Sequence, residues 1–207
     1  MSGELGAGPL LQLAGGPELR ILGEHVYLRP LGHADATERY HRWLNDKEIN
    51  RYSERRGRSF SREDIRAYLD DANTSPTLLQ QGIFMRADNA HVGNISLRVT
   101  NVGARVAEVA TLIGETEYWG RGVIVDAAKA LIHFAFQELG IRKITLGNYA
   151  INRASTFKSR QLGAKPEGRF REAALIDGAY VDVLEFGLFA DEFYEKFPQL
   201  ADRPAAG

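Results

Sequence analysis

RVAEVATLIGETEYWGRGVIVDAAKALIHFAFQELGIRKITL, residues 105–146, changes its hydrophobic period twice, and those changes decide the fold. From about Arg105 to Ile113 the chain reads as a strand. Ile124, Ala128, Leu131, Ile132, Ala135 and Leu139 then recur at helical spacing, and Gly140 ends the run. Lys143–Leu146 returns to a strand. A strand–helix–strand unit of this kind joins parallel neighbours by a right-handed crossover, since a tight hairpin connects only antiparallel ones.

Upstream, His25–Arg29 alternates as a strand that Pro30 stops. Asp35–Leu44 is helical by spacing, with Ala36, Tyr40, Trp43 and Leu44 on one face. Ser61 and Asp64 form an N-cap box for a helix reaching about Ala72. Strands near Gly82–Arg86 and Val92–Val99 flank Asp88-Asn89, a hairpin turn. Downstream, Asn152–Leu162 is a helix, and Ala173–Ile176 with Val181–Leu188 closes as a hairpin across Asp177-Gly178. The order β-α-α-β-β-β-α-β-α-β-β predicts a mixed α/β (α+β) domain. Its twisted sheet should be mostly antiparallel, flanked by helices, with one parallel β-α-β unit.

Residues 1–23 are glycine-rich and read as a flexible leader, although Leu10, Leu11 and Leu13 offer a docking patch. The domain is expected over residues 24–189, followed by a tail over 190–207 whose ADRPAAG end frays. Phe193, Tyr194 and Phe197 in that tail pack on the parent domain; a homodimer contact is the alternative.

Composition excludes several chemistries. The 207 residues contain no Cys, so disulfides, thiolate metal sites and cysteine nucleophiles are out, and a reducing cytoplasm fits. Lys+Arg 26 against Asp+Glu 27 leaves a net charge of -1, with no basic field to bring in nucleic acid. No apolar run suits a membrane span, and the acidic N-terminus is not a secretory signal. His25, His33, His41, His91 and His133 lack metal-ligand spacing, so no metal is expected.

Tyr118-Trp119-Gly120-Arg121-Gly122 stands between a strand and the strongest helix. Unpaired N–H groups at a helix start, reinforced by its dipole, bind phosphate groups, and glycine lets the anion approach the backbone. A plain strand-to-helix turn would read the same way. The loop is no Walker motif, which needs G-x-x-x-x-G-K-[ST]. Asn152-Arg153-Ala154-Ser155 opens the next helix, with Asn152 its natural N-cap.

The segments AEVATLIGETEYWGRG, LGNYAINRASTFKSRQLGA and EGRFREAALIDGAYVDVLEFGL, in this order, resemble the GNAT acyltransferase superfamily. The likeness covers roughly residues 24–189 and is nearest to the branch of ribosomal-protein N-terminal and nucleotide-amino-sugar N-acetyltransferases. It implies an acetyl-CoA-dependent N-acetyltransferase that moves the acetyl group directly to a primary amine. Trp119, Gly120, Arg121, Gly122, Val123 and Ile124 would then hold the pyrophosphate. Asn152 and Ser155 would border the cofactor arm, and N–H groups near Val109, Ala110 and Thr111 would face the thioester oxygen.

The attacking amine must lose a proton, and Glu108 matches the strand acid of many relatives, acting through water; a surface carboxylate is the alternative. Trp119 stands where the family loop begins with Gln or Arg, Ala164 follows Gly163 where Phe is usual, and two further positions also depart from the family pattern. Ile124 replaces a small residue, and Ser159 stands where many members carry a tyrosine that protonates the leaving thiolate. Ser159 is the implied relay, with plain helix surface as the alternative. These departures also admit a CoA-binding sensor that has lost transfer. The acceptor would lie under the segment holding Asn50, Tyr52, Arg55, Arg56 and Arg58, which leans the reading toward a nucleotide-linked amino sugar clamped at its diphosphate. A protein N-terminus is the competing acceptor.

Overall fold

The computed structural model describes residue 16 and residues 18–53 and 55–206. In chain order these form β1 (Ile21–Leu22), β2 (Val26–Pro30), α1 (Glu38–Asn45), α2 (Arg62–Thr74), β3 (Leu78–Met85), β4 (His91–Asn101) and β5 (Val106–Ile113). There follow α3 (Val123–Gln137), β6 (Lys143–Tyr149), α4 (Arg153–Gln161), β7 (Lys165–Ile176), β8 (Ala179–Phe189) and α5 (Ala190–Lys196). The strands make one sheet in the order β1-β2-β3-β4-β5-β6-β8-β7, and β5–β6 is its one parallel pair. The expected mixed, mostly antiparallel sheet with a single parallel crossover is the fold observed.

Alternation along the strands feeds two cores. Ala107, Val109 and Ile113 of β5 face α3, whose Ala127, Ala128, Leu131, Ile132 and Ala135 are buried against the sheet. Leu112 turns the other way, toward Tyr40, Trp43 and Leu44 of α1 and Ile65 and Leu69 of α2. A strand presents alternate side chains to opposite faces, so the sheet carries helices on both.

Several boundaries differ from expectation. The helix read as Asp35–Leu44 starts at Glu38, because Thr37 caps it and accepts the Tyr40 N–H at 3.3 Å. Asp35 instead pairs with Arg29 at 2.7 Å and accepts the Gly32 N–H, which holds residues 33–35 in a 3-10 turn. The last hairpin is longer than Ala173–Leu188. Its β7 arm begins at Lys165, and nearly every residue of that edge strand is exposed. Bulges near Pro166–Gly168 and Phe170–Ala174 break its alternation, which is why the sequence shows none.

The ends are also better ordered than the sequence suggests. Ile21 and Leu22, assigned to the leader, pair with β2, and Ile21 is fully buried. At the other end, Phe193, Leu200 and Ala205 are buried and Ala206 bridges Ile21, so the chain is anchored as far as residue 206, and Gly207 lies outside the described residues. Phe193, Tyr194 and Phe197 pack on Phe136 and on one another, a packing role within the domain. Leu10, Leu11 and Leu13 lie outside the described residues. Among the described residues, no helix is long and apolar enough to cross a membrane.

Candidate active site

Helix α3 starts without a side-chain cap. Gly122 is its N-cap residue at φ 80°, and Gly120 has φ 73°, both left-handed conformations that cost a side-chain-bearing residue strain. The carbonyl of Gly122 accepts the N–H groups of Val125 and Asp126. The N–H groups of Gly120, Gly122, Val123 and Ile124 find no acceptor in the described protein. A Cβ placed on Gly120 or Gly122 would meet nothing within 4 Å, so these donors border open space. The positive end of the helix dipole adds to them, and the loop is chemically an anion cradle.

Its neighbours fix it. Trp119 donates from Nε1 to Ile113 O at 3.0 Å, tying the loop to the end of β5. Ile124 is half-buried, and its branched side chain leans on the α3 core. The buried Asp126 carboxylate accepts the N–H groups of Glu24, His25 and Val26 at 2.8–3.2 Å, joining the first turn of α3 to the start of β2.

Beside this loop the sheet opens. β5 and β6 pair only from Val106–Lys143 to Glu108–Thr145. Beyond that point β6 continues to Tyr149 against β8, and β5 continues to Ile113 against β4. Val109, Ala110, Thr111, Leu112 and Ile113 therefore have no strand on their β6 side. A splayed parallel pair leaves one lip with unpaired backbone groups, which an extended ligand carrying amides can satisfy.

Helix α4 ties both lips together. Asn152 caps it, accepting the Ser155 N–H at 3.1 Å, so its N-cap reading describes what the side chain does. Ser155 donates to Asn148 Oδ1 of β6. Ser159 is fully buried, accepting from Asn148 Nδ2 at 3.0 Å and donating to Ser155 O at 3.2 Å, so it is no part of the helix surface. The preceding residue, Lys158, is also buried; it crosses to β5 and donates to Thr111 Oγ1 at 2.9 Å. Its ammonium is held at a pKa of about 8 by burial, which disfavours the charged form.

On the opposite face, Glu108 and Glu185 converge over Gly147. A Cβ built there would stand 3.7 Å from one carboxylate and 3.4 Å from the other. Burial, then the charges of Glu108 and Glu167, push the Glu185 carboxyl above its ordinary range. Lys143 lies between, 2.6 Å from Glu167.

The segment between α1 and α2 spans the far end of this face. Arg51 pairs with Asp177 at 3.5 Å and lies 5.4 Å from the Tyr52 ring. Arg55 stacks 4.5 Å over Tyr68, and Arg56 donates to Leu175 O beside the Tyr149 ring. Asn50 does not face the opening. It is buried, donating to Trp43 O and Asp46 O, because the last carbonyls of α1 need donors.

Glu108 lies where β5 parts from β6 and residues 109–113 on the free stretch beyond it, Asn152 and Ser155 are spent on the start of α4 and its tie to β6, and Asn50 is buried under the end of α1. Two participants escaped the sequence. Lys158 stands three residues after Ser155 and four before Leu162, on the buried stripe of α4, and a lysine at such a position was the available signal. Glu185 carries none, since only the β6–β8 register sets it opposite Gly147. Among the described residues, no group of three or more His, Asp or Glu is arranged to hold a metal ion.

A family model described as an acetyltransferase (GNAT) domain matches residues 25–165. Bacillus subtilis YdaF, provisionally named a ribosomal N-acetyltransferase, is 28% identical over 106 residues, 51% of this chain. The chain spans only 57% of that relative's length. Mycobacterium smegmatis RimJ, solved with CoA-disulfide, superposes with a TM-score of 0.74 at 20% identity, over 86% of this chain and 90% of that one. Vibrio cholerae spermidine N-acetyltransferase, solved with CoA and spermine, gives 0.73 at 20% identity, over 82% and 98%.

Proposed function

The chain belongs to the GNAT acetyltransferase family, and from that premise we propose that it transfers the acetyl group of acetyl-CoA directly to a primary amine at the β5–β6 opening. One observation carries the reading: unpaired N–H donors at Gly120, Gly122, Val123 and Ile124 stand beside a strand pair that separates after Glu108. A diphosphate suits the donors, and an amide-bearing arm suits the free lip of β5.

Acetyl-CoA supplies the activated acyl group as a thioester. Backbone N–H groups on the free lip of β5 stabilise charge on the thioester oxygen, where preorganised donors act at no reorganisation cost. Glu108 takes the proton of the attacking amine, directly or through one water. Arg121 remains exposed beside the cradle, where it screens phosphate charge. Asn152 and Ser155 hold α4 in place rather than reaching outward.

For the acceptor, the arrangement favours an amine that arrives as a cation. Glu108, Glu185 and Glu167 line the acceptor face, whereas Arg55 and Arg56 of the expected diphosphate clamp are spent on Tyr68, Tyr149 and Leu175 O. Spermine in the Vibrio cholerae structure is such an amine. A nucleotide-linked amino sugar therefore becomes the weaker of the two acceptors inferred for this site.

The test is thiol release from acetyl-CoA with a polyamine, a peptide bearing a free N-terminus and a nucleotide-linked amino sugar. Turnover with either of the first two supports the reading. Turnover with the sugar alone reverses the acceptor assignment. Binding of acetyl-CoA with no thiol release on any amine marks a sensor. Absence of any thermal stabilisation at saturating acetyl-CoA overturns the reading entirely, since a ligand of the native state must stabilise it.

A further inference from the structure

A buried lysine without a carboxylate partner is costly, because desolvation of an ammonium is offset only by charge pairing or hydrogen bonds. Lys158 is such a residue. It is 5% exposed, donates to one neutral oxygen, Thr111 Oγ1 at 2.9 Å, and forms no ion pair among the described residues. Glu108 on β5, Lys143 and Tyr149 on β6, and Asp126, Lys129 and His133 on α3 are the titratable groups of the elements around it, and none shifts its titration. Leucine or methionine would fill the same space at no such cost. The amine nevertheless bridges the opening, from α4 on the β6 lip to the free lip of β5.

Acetyl transfer to an amine expels a thiolate, and Ser159, expected to reprotonate it, already donates to Ser155 O. We propose that Lys158 is the acid that protonates the departing thiolate, its N–H turning from Thr111 Oγ1 to the sulfur. The proposal rests on the acetyl-transfer reading above. In the step, the amine nitrogen bonds to the carbonyl carbon and the C–S bond breaks with its electron pair on sulfur. The ammonium loses one proton to solvent before attack; a second then passes from nitrogen to Glu108 and one goes from Lys158 to sulfur, giving amide and free thiol. Glu108 then returns its proton to solvent and Lys158 regains one, so the enzyme is unchanged. A donor titrating near 8 is able to give its proton to a thiolate.

The experiment compares the full-length wild type with Lys158→Met and Lys158→Arg in acetyl-CoA turnover against pH, together with thermal melting. Because the acid must be protonated, wild-type kcat should fall as pH rises above about 8. Both variants should lose about 100-fold in kcat, with little change in KM for acetyl-CoA, and should lack that falling limb. Arginine keeps the charge but cannot surrender its proton. Lys158→Met should melt no lower than the wild type, because it removes a buried charge. Variants that keep the wild-type pH profile and merely melt lower would make Lys158 a strut and overturn the proposal. So would an acetyl group found covalently on Lys158, or, if neither variant folds, a wild-type profile with no falling limb. A wild type that turns over no amine removes the acetyl-transfer reading as well, whereas an active wild type with unimpaired variants removes only this inference.

Discussion

Asp126 is the residue on which the most backbone depends. Its carboxylate is the acceptor for three consecutive N–H groups entering β2, two of them near a strand only two residues long. Asp126→Ala leaves those donors without a partner, and urea denaturation should show a loss of about 3 kcal/mol. Gly114 is constrained by space. A Cβ there would lie 1.9 Å from Trp43 Cδ2, inside a buried indole that also donates to Glu115 at 3.0 Å. Gly114→Ala should cost about 2 kcal/mol by overpacking, read from the same titration. At Glu108 the expected loss is kinetic. Glu108→Gln should lower kcat about 100-fold for a strongly basic amine and progressively less as the acceptor's own pKa falls. A steady-state series over graded amines checks the trend, and a constant defect across it would remove Glu108 as the base.

At the scale of elements, the start of α3 and the parting of β5 from β6 do most to define the site. Gly122→Ala forces a left-handed residue to carry a Cβ in otherwise open space, so stability should fall by only about 1 kcal/mol. Acetyl-CoA affinity should fall more steeply, because the same residue orients the donors of the cradle; calorimetric titration separates the two effects. The α3 cradle was legible because glycines between a strand and a strongly periodic helix have few other uses. The separation of the strands was not. Residues 109–113 read as ordinary strand and β6 reads as strand only as far as Leu146, and the loss of pairing between the two strands is a matter of twist and of what each has on its other side. The first part of edge strand β7, residues 165–172, was missed for a related reason, since an exposed, bulged strand has no hydrophobic period to detect.

Across the whole molecule, two histidines, His133 buried and His91 half-buried, weaken the fold toward acid. His91 stacks on Phe84 and edges against Trp43, and His133 bonds to Tyr194 and Arg203 O across the closing end of the chain. Burial holds both pKa values below 6.5, so the unfolded chain binds protons that the folded one refuses. Their contribution is present above about 6.5 and is lost as pH falls below it. Melting temperature should therefore drop between about pH 7 and 5, and the slope should flatten in a His91→Gln/His133→Gln double variant. The C-terminal segment shares in this, since Ala205 and Ala206 close over β1 in a way that fraying-prone composition hides.

The sequence by itself determined the elements from β2 to β8 and their order, though not β1 or α5, together with the single parallel crossover, the glycine loop at a helix start and Glu108 on the strand before it. These follow from local periodicity and from backbone freedom at glycine, which act within a few residues. Tertiary structure alone decided that β5 and β6 part after Glu108, that Glu185 meets Glu108 over Gly147, that Asn50 turns inward, and that Lys158 lies buried across the opening. Each of those depends on register or burial between segments far apart in the chain, and desolvation has no local signature in a string of residues.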